Sequence, residues 1–117
     1  MLVTAVYNKE EKMEKESCLF CKIINKELSA EIVYEDENIL VIPDINPKAR
    51  VHLLVLPRPH INSFLDLTSN QFLLLTKMAE VVQTIVRDQK LEGGYQLLFN
   101  GGKHQHVPHL HWHILGD

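Results

Sequence analysis

Histidines alternate with apolar residues in segment 109–114, which reads His-Leu-His-Trp-His-Ile. Successive side chains of a β-strand point to opposite faces. A strand here would therefore place the apolar residues in a core and the three imidazoles together on the other face. A purely structural strand would normally carry Thr, Lys or Glu on that outer face. Because an unperturbed histidine titrates near neutral pH, three of them in register predict a functional surface.

The composition is that of an ordinary globular protein. The 117 residues, 45% of them hydrophobic and 23% charged, fit one domain. A net charge of −3 gives no basic surface for nucleic acid. No apolar run is long enough to span a membrane, and the first residues lack the apolar core and cleavage site of a secretion signal. We therefore expect no nucleic-acid or membrane partner and a cytoplasmic location.

The chain divides into a charged beginning and a compact remainder. Most of the later part of segment 1–17 is charged or polar, which predicts a flexible N-terminal extension. Apolar periodicity begins at Cys18 and continues to the C-terminus. We therefore predict one domain covering residues 18–117.

Within that domain the pattern of apolar residues predicts an α+β fold, with about five strands in a mostly antiparallel sheet. Strands are predicted at 31–35, 39–43, 51–56, 95–99 and the histidine segment. A short amphipathic helix is predicted at 18–26. Thr68 and Gln71 form a capping-box signature for one long helix from residue 69 to about 90. The apolar stripe of this helix is wider than a single core requires, which predicts contact with a second subunit.

Two kinds of chemistry suit three histidines on one face. Histidines two residues apart can bind one metal ion, but a hydrolytic metal site usually includes carboxylates, and Asp117 is the only acid close to this strand. A neutral imidazole can instead attack phosphorus and form a covalent intermediate, while neighbouring donors hold the phosphate oxygens. A nucleophilic hydrolase is therefore favoured over a metal-dependent one.

Cys18 and Cys21 form a Cys-x-x-Cys pair, which fits metal binding, redox chemistry or simple burial. A charged segment precedes the pair, where a redox fold would have a strand. Two thiolates supply half of the four ligands that a structural zinc site requires. The residues alone leave these alternatives open.

The segment from His109 to Leu115 matches the His-x-His-x-His-x-x motif of the histidine triad family, and the chain resembles its Hint branch. Further blocks occur in the family's order at 18–24, 44–47, 52–57 with 60–61, 94–95 and 100–101. The resemblance implies a homodimer with two separate sites. It also implies hydrolysis of the P–N or P–O bond of a purine nucleoside monophosphate derivative through a nucleotidyl-histidine intermediate.

The resemblance also implies roles for individual residues. His111 corresponds to the nucleophile, His113 to a phosphate contact, and His52 to their hydrogen-bonding partner on the leaving-group side. Asp44 corresponds to the acid that binds the ribose hydroxyls, since two acceptor oxygens suit a vicinal diol. The remaining positions implied in nucleotide binding are Phe20, Ile23, Ile42, Ile45 and Leu54 for the base, and Asn100, Gln105 and His106 near the phosphate.

Zinc-bearing members of the family join a Cys-x-x-Cys pair to two histidines, so the resemblance adds His60 and His109 to Cys18 and Cys21 as a structural zinc site. Other members lack both cysteines, which implies no catalytic cofactor. At His106 many relatives have Ser or Thr, which leaves the preferred leaving group open. The alternative to an enzyme is a nucleotide-binding regulatory module in which turnover is incidental.

Overall fold

The computed structural model describes residues 17–117, so all but the last residue of the predicted extension lies outside the described part. Five strands form one antiparallel sheet in the order β1-β2-β3-β5-β4. The strands are β1 Tyr34–Glu35, β2 Ile39–Pro43, β3 Val51–Pro57, β4 Tyr95–Leu98 and β5 Trp112–Gly116. The α-helices are α1 Leu19–Ile24 and α2 Phe72–Asp88, and short 3-10 helices lie at Phe64–Asp66, Ser69–Gln71 and Gly102–His104. This architecture confirms the predicted α+β fold.

The central strands β2 and β3 are buried on both faces, because their alternate residues pack under different helices. One face carries Ile39, Val41 and Val55, which pack with Met78, Val82, Ile85 and other residues of α2. The opposite face carries Leu40, Ile42, Leu54 and Leu56, which pack with Cys18, Phe20 and Cys21 around α1. Burial on both faces accounts for the almost continuously apolar sequence of β3.

Capping side chains mark the starts of the two helices, and a residue with positive φ follows the end of α2. The Sγ of Cys18 caps α1 by accepting a hydrogen bond from the backbone N–H of Cys21. The predicted capping box is confirmed, because the N–H of Thr68 donates to Oε1 of Gln71 at 2.9 Å. However, residues 69–71 form a 3-10 turn, so α2 begins later than predicted. It ends before Lys90, which has φ 59°. No helix among the described residues is long and apolar enough to cross a membrane.

The histidine segment is not a strand over its full length, which corrects the prediction. β5 begins at Trp112 because the preceding main chain bonds to loops instead of to β3. The N–H of Leu110 donates to the carbonyl of Ile61 at 2.6 Å, and the N–H of His109 donates to the carbonyl of Val107 at 2.8 Å. The first three residues of the alternating pattern therefore approach the sheet without joining its ladder.

The part of the pattern inside β5 behaves as predicted. Trp112 and Ile114 pack in the core beneath α2. His113 lies opposite Leu54 of β3, on the face covered by α1. The first predicted hairpin strand is also shorter than expected, since only Tyr34–Glu35 of 31–35 joins the sheet, at its edge.

Gly116 gives a test of the packing between β5 and the segment after α2. A Cβ added at Gly116 would lie 2.6 Å from Cδ2 of Leu91, so the Leu91 side chain, which is 1% exposed, would have to shift within a packed core. We expect Gly116→Ala to lower the free energy of unfolding by about 1–3 kcal/mol, measured by urea denaturation. Gly93→Ala is the control, because no atom lies within 4 Å of its added Cβ. Equal stabilities of the two variants would contradict this packing.

Candidate active site

His111 directly precedes β5 and is buried against α1. Its Nδ1 lies 2.7 Å from the main-chain carbonyl of His109, and because a carbonyl can only accept, Nδ1 carries the proton. The lone pair of the neutral ring is therefore on Nε2. Burial is the main cause that lowers the pKa of His111 below its usual value, although the bond to His109 and the charge of Asp44 oppose the shift. The ring is thus neutral at physiological pH and has a free lone pair on Nε2.

A chain of hydrogen bonds fixes the protons of the neighbouring histidines. The backbone N–H of Lys48 donates to Nδ1 of His52 at 3.1 Å, so the proton of neutral His52 is on Nε2. That Nε2 lies 2.9 Å from Nδ1 of His113 and 3.4 Å from Oδ2 of Asp44. His113 therefore accepts at Nδ1 and carries its own proton on Nε2.

The Nε2 of His113 is a buried polar atom with no hydrogen-bond partner among the described residues. Burial, assisted by the charges of His111 and His52, lowers the pKa of His113 to about 4, so the ring is neutral at pH 7. Its ring centroid lies 5.0 Å from that of His111. Because an unsatisfied buried N–H is energetically costly, this atom indicates a place for an acceptor from a ligand. A ring with a free lone pair and a ring with an unpartnered N–H are thus neighbours.

Four further side chains, including that of His109, lie close together next to the His111–His113 pair. We call Cys18, Cys21, His60 and His109 the Cys–His cluster; one potential ligand atom from each lies within 4.8 Å of all the others. The Nδ1 of His60 lies 3.1 Å from Sγ of Cys21. The Nδ1 of His109 lies 3.5 Å and 3.6 Å from the two sulfur atoms. The structure thus brings together the four residues that the resemblance implied.

The outer nitrogens of both cluster histidines are occupied by acceptors. The Nε2 of His109 donates to the carbonyl of Pro57 at 2.8 Å, and the Nε2 of His60 donates to Oδ1 of Asn62 at 2.6 Å. Each ring therefore directs the lone pair of its Nδ1 at the thiols, as metal-binding histidines do. Burial lowers the pKa of His109 to about 4, which keeps that lone pair available. Two thiols and two such imidazoles fit tetrahedral zinc.

A second group, Asp44, His52 and His113, has ligand atoms equally close together but does not fit a metal ion. Metal binding at Nε2 of His52 would require a proton on Nδ1, and that atom already faces the N–H of Lys48. The two protons would oppose each other. This geometry gives no support to a metal-dependent hydrolase built on the histidine face.

The apolar residues implied in base binding pack in one cluster with Phe20, which contacts His111, and Ile45 is the exception. Phe20 packs edge-on against the His111 ring, with centroids 5.0 Å apart. The others in the same cluster are Ile42 and Leu54, with Ile23 packed against them. Ile45, by contrast, is 87% exposed and contributes to no buried cluster.

The polar candidates differ in how firmly they are held. Oδ1 of Asp44 accepts from the backbone N–H of Asn46 at 2.8 Å, while its Oδ2 lies near His52. Asn100 is half-buried and directly follows Phe99, just beyond the end of β4. Both lie near the ends of strands, where rigid elements limit their movement.

Gln105 and His106 lie in the loop that leads to the triad. The side-chain amide of Gln105 donates to the carbonyls of Asn62 and Val107 at 2.6 Å and 3.0 Å, so it fastens the loop. His106 is exposed, and its charge contributes to lowering the pKa of His111, which places it within electrostatic reach of that ring.

Three groups that shape the site were not predicted: the N–H of Lys48, the carbonyl of Pro57 and the side chain of Asn62. The first two are main-chain groups: every residue supplies a carbonyl, and every residue except proline supplies an N–H, so the sequence contains no signal for them. Asn62 carries a weak signal, since it is a polar residue two positions after His60.

Comparisons with known proteins agree with this geometry. A family model described as "Scavenger mRNA decapping enzyme C-term binding" matches residues 17–117. An uncharacterized HIT-like protein of Chlamydia muridarum is 41% identical over 100 residues, which cover 84% of this chain and 79% of that protein. A purine nucleoside phosphoramidase of Escherichia coli is 35% identical over 104 residues, which cover 86% of this chain and 87% of that protein.

Solved structures show the same likeness. A HIT family hydrolase from Clostridium thermocellum matches with a TM-score of 0.84 at 40% identity, covering 87% of this chain and 91% of that one. A HIT family hydrolase from Legionella pneumophila matches with a TM-score of 0.84 at 39% identity, covering 86% and 93%. The chain therefore belongs to the histidine triad family, as the spacing of its three C-terminal histidines predicts.

Proposed function

We propose that this protein hydrolyses the P–N or P–O bond of a purine nucleoside monophosphate derivative through a covalent nucleotidyl-His111 intermediate. One observation carries the proposal: the lone pair on Nε2 of His111 lies beside the N–H of His113, which has no partner. Phosphoryl chemistry requires this combination of a nucleophile and an adjacent donor to the phosphate oxygens.

The reaction proceeds in two displacements. Nε2 of His111 attacks phosphorus, the bond to the leaving amine or oxygen breaks, and the leaving group takes up a proton. The His109 carbonyl, which accepts from Nδ1, stabilises the positive charge that develops on the ring. The N–H of His113 donates to a phosphate oxygen. Water then attacks phosphorus, the P–Nε2 bond breaks, and the water's proton balances the one taken by the leaving group.

The nucleoside part is assigned from the side chains next to this pair. Phe20, Ile42 and Leu54 belong to the buried apolar cluster beneath α1, with Ile23 packed against it, and a base bound next to His111 would extend this cluster. Asp44 retains acceptor capacity for ribose hydroxyls at the end of β2. The similarity to a protein named purine nucleoside phosphoramidase supports a purine.

We also propose that the Cys–His cluster binds one structural zinc ion. The donor set, the outer hydrogen bonds of both histidines and the burial of the thiols support this assignment. The ion would join α1 to the segment that carries the triad, and no catalytic step involves it.

A homodimer completes the proposal. β4 lies at the edge of the sheet, and all four of its residues are exposed. Phe99, which follows β4, is exposed as well. An exposed edge strand with apolar side chains is a pairing site that proteins normally cover. A second copy of the chain would cover it, in agreement with the wide apolar stripe noted in the sequence.

The covalent step can be tested with adenosine 5′-phosphoramidate. We expect mass spectrometry of wild-type protein quenched during turnover to show an AMP adduct on His111. We expect His111→Ala to bind the nucleotide but to lose turnover by about a thousandfold or more, because the attacking atom is gone. His104→Ala, which removes an exposed histidine of the nearby loop, should keep the wild-type rate. Wild-type rates in His111→Ala would exclude the mechanism.

The pH profile tests the environment of the nucleophile. Only neutral His111 attacks, and burial lowers its pKa, so activity should persist below the titration range of free histidine. We expect kcat/KM to fall on the acid side with an inflection below pH ~6.5. Phe20→Ala admits water to the ring and should move the inflection towards higher pH. An inflection above that value in the wild type would show that the ring is not buried.

The dimer can be tested with two substitutions of matched exposure. Leu97 on β4 is 43% exposed, and Ile32 near the opposite edge of the sheet is 41% exposed. We expect Leu97→Glu to give a monomer in light scattering after size-exclusion chromatography, because it buries a charge between the copies. Ile32→Glu should leave the dimer intact. A wild-type monomer, or a dimer in both variants, would exclude pairing through β4.

A further inference from the structure

We propose that the Cys–His cluster is a positioning device for the nucleophile, in which Cys18, Cys21 and His60 act on His111 through His109. This inference rests on the proposed hydrolase function and extends it, because it assigns the cluster an effect on turnover in addition to a structural role.

The starting observation is that His111 lies outside the sheet. The ladder between β3 and β5 begins with Val55 opposite Trp112, one residue after the nucleophile. A residue within a central strand is held on both sides by regular backbone hydrogen bonds, and His111 lacks that support. The position of its ring depends on the contacts of residues 109–110.

The first of these contacts is His109. Its ring lies between the two sulfur atoms and the carbonyl of Pro57, and the residue is 0% exposed. The carbonyl of this same residue accepts the proton of Nδ1 of His111. A displacement of the His109 ring therefore moves the acceptor that determines which nitrogen of the nucleophile is free.

The second contact runs through His60. Its Nδ1 faces Cys21, and the carbonyl of the next residue, Ile61, accepts from the N–H of Leu110 at 2.6 Å. Leu110 lies between His109 and His111. The cluster thus fastens the segment at two consecutive residues, by a side chain at His109 and by a backbone bond at Leu110.

It follows that the cluster selects the reactive tautomer of His111. When it is intact, the Nδ1–H form is held and Nε2 can attack. When it is broken, the acceptor at His109 is no longer fixed, and the ring can also adopt the Nε2–H form, which has no lone pair at the attacking position. Binding of the nucleoside uses other side chains, so the loss should appear in kcat and leave KM nearly unchanged.

His60 is the residue to change, because it belongs to the cluster but is not among the residues proposed to bind the nucleotide. We expect His60→Ala to lose the zinc, measured by elemental analysis, and to lower kcat about tenfold or more with KM within about twofold. Proton–nitrogen correlation spectra of the histidine rings should show His111 as a mixture of tautomers in this variant and as Nδ1–H in the wild type.

His60→Cys is the conservative rescue, since three thiols and one imidazole also bind zinc. It should keep the metal, the Nδ1–H tautomer and a kcat near that of the wild type. Ile85→Val in the core beneath α2 costs about 1 kcal/mol and controls for general loss of stability. It should change neither the tautomer nor kcat.

The proposal is overturned if His60→Ala loses zinc but keeps the wild-type kcat and tautomer, or if Ile85→Val lowers kcat as much. Should His60→Ala not fold, wild-type protein stripped by a chelator and reloaded with zinc gives the same readouts. Unchanged kcat and tautomer in both forms would overturn the proposal equally. An AMP adduct on wild-type His111 would still stand in that case, so the hydrolase function is tested separately.

Discussion

The hydrogen bond between Nδ1 of His111 and the carbonyl of His109 is the interaction on which the site depends. It fixes one proton and thereby decides which nitrogen faces a substrate. Breaking such a buried bond leaves an unpaired carbonyl at a cost of about 1–3 kcal/mol. In the proposed reaction, the same carbonyl would stabilise the positive charge that develops on the ring. One hydrogen bond would thus set the tautomer of His111 before the reaction and stabilise its charge during the reaction.

The two faces of the sheet differ in composition: one carries an apolar core and the other carries the candidate site. The core beneath α2 is apolar and packs one long helix against β2 and β3. The face beneath α1 carries the triad, the Cys–His cluster and the candidate base surface around a much shorter helix. Residues of β3 belong to both cores. The packing beneath α2 therefore also holds the strand that carries the candidate site beneath α1, and a site is positioned most precisely on such fixed elements.

Most of the fold followed from periodicity in the sequence, and the grouping of His109 with Cys18, Cys21 and His60 followed from the family resemblance. The roles that the resemblance implies for His111 and His113 stay predictions. The start of β5 did not follow from periodicity, because it depends on the carbonyl of Ile61, which lies far from Leu110 in sequence. The sequence also could not predict which nitrogens of His52 and His113 carry protons, because the donor that determines this is the backbone N–H of Lys48. Ile45 also differs from the other implied pocket residues, because its side chain is exposed, and its contact with a base stays a prediction.

The contact between Cys18 and His109 joins residues 91 positions apart in the chain. Contacts of such separation close nearly the whole polypeptide into one loop and carry a high entropic cost, so they are slow to form. His111 and its acceptor are only two residues apart, but the contacts that fix the His109 ring form only when both ends of the domain meet. The proposed nucleophile would therefore be oriented late in folding, and the proposed hydrolytic activity would report the completed native state more strictly than helix content does.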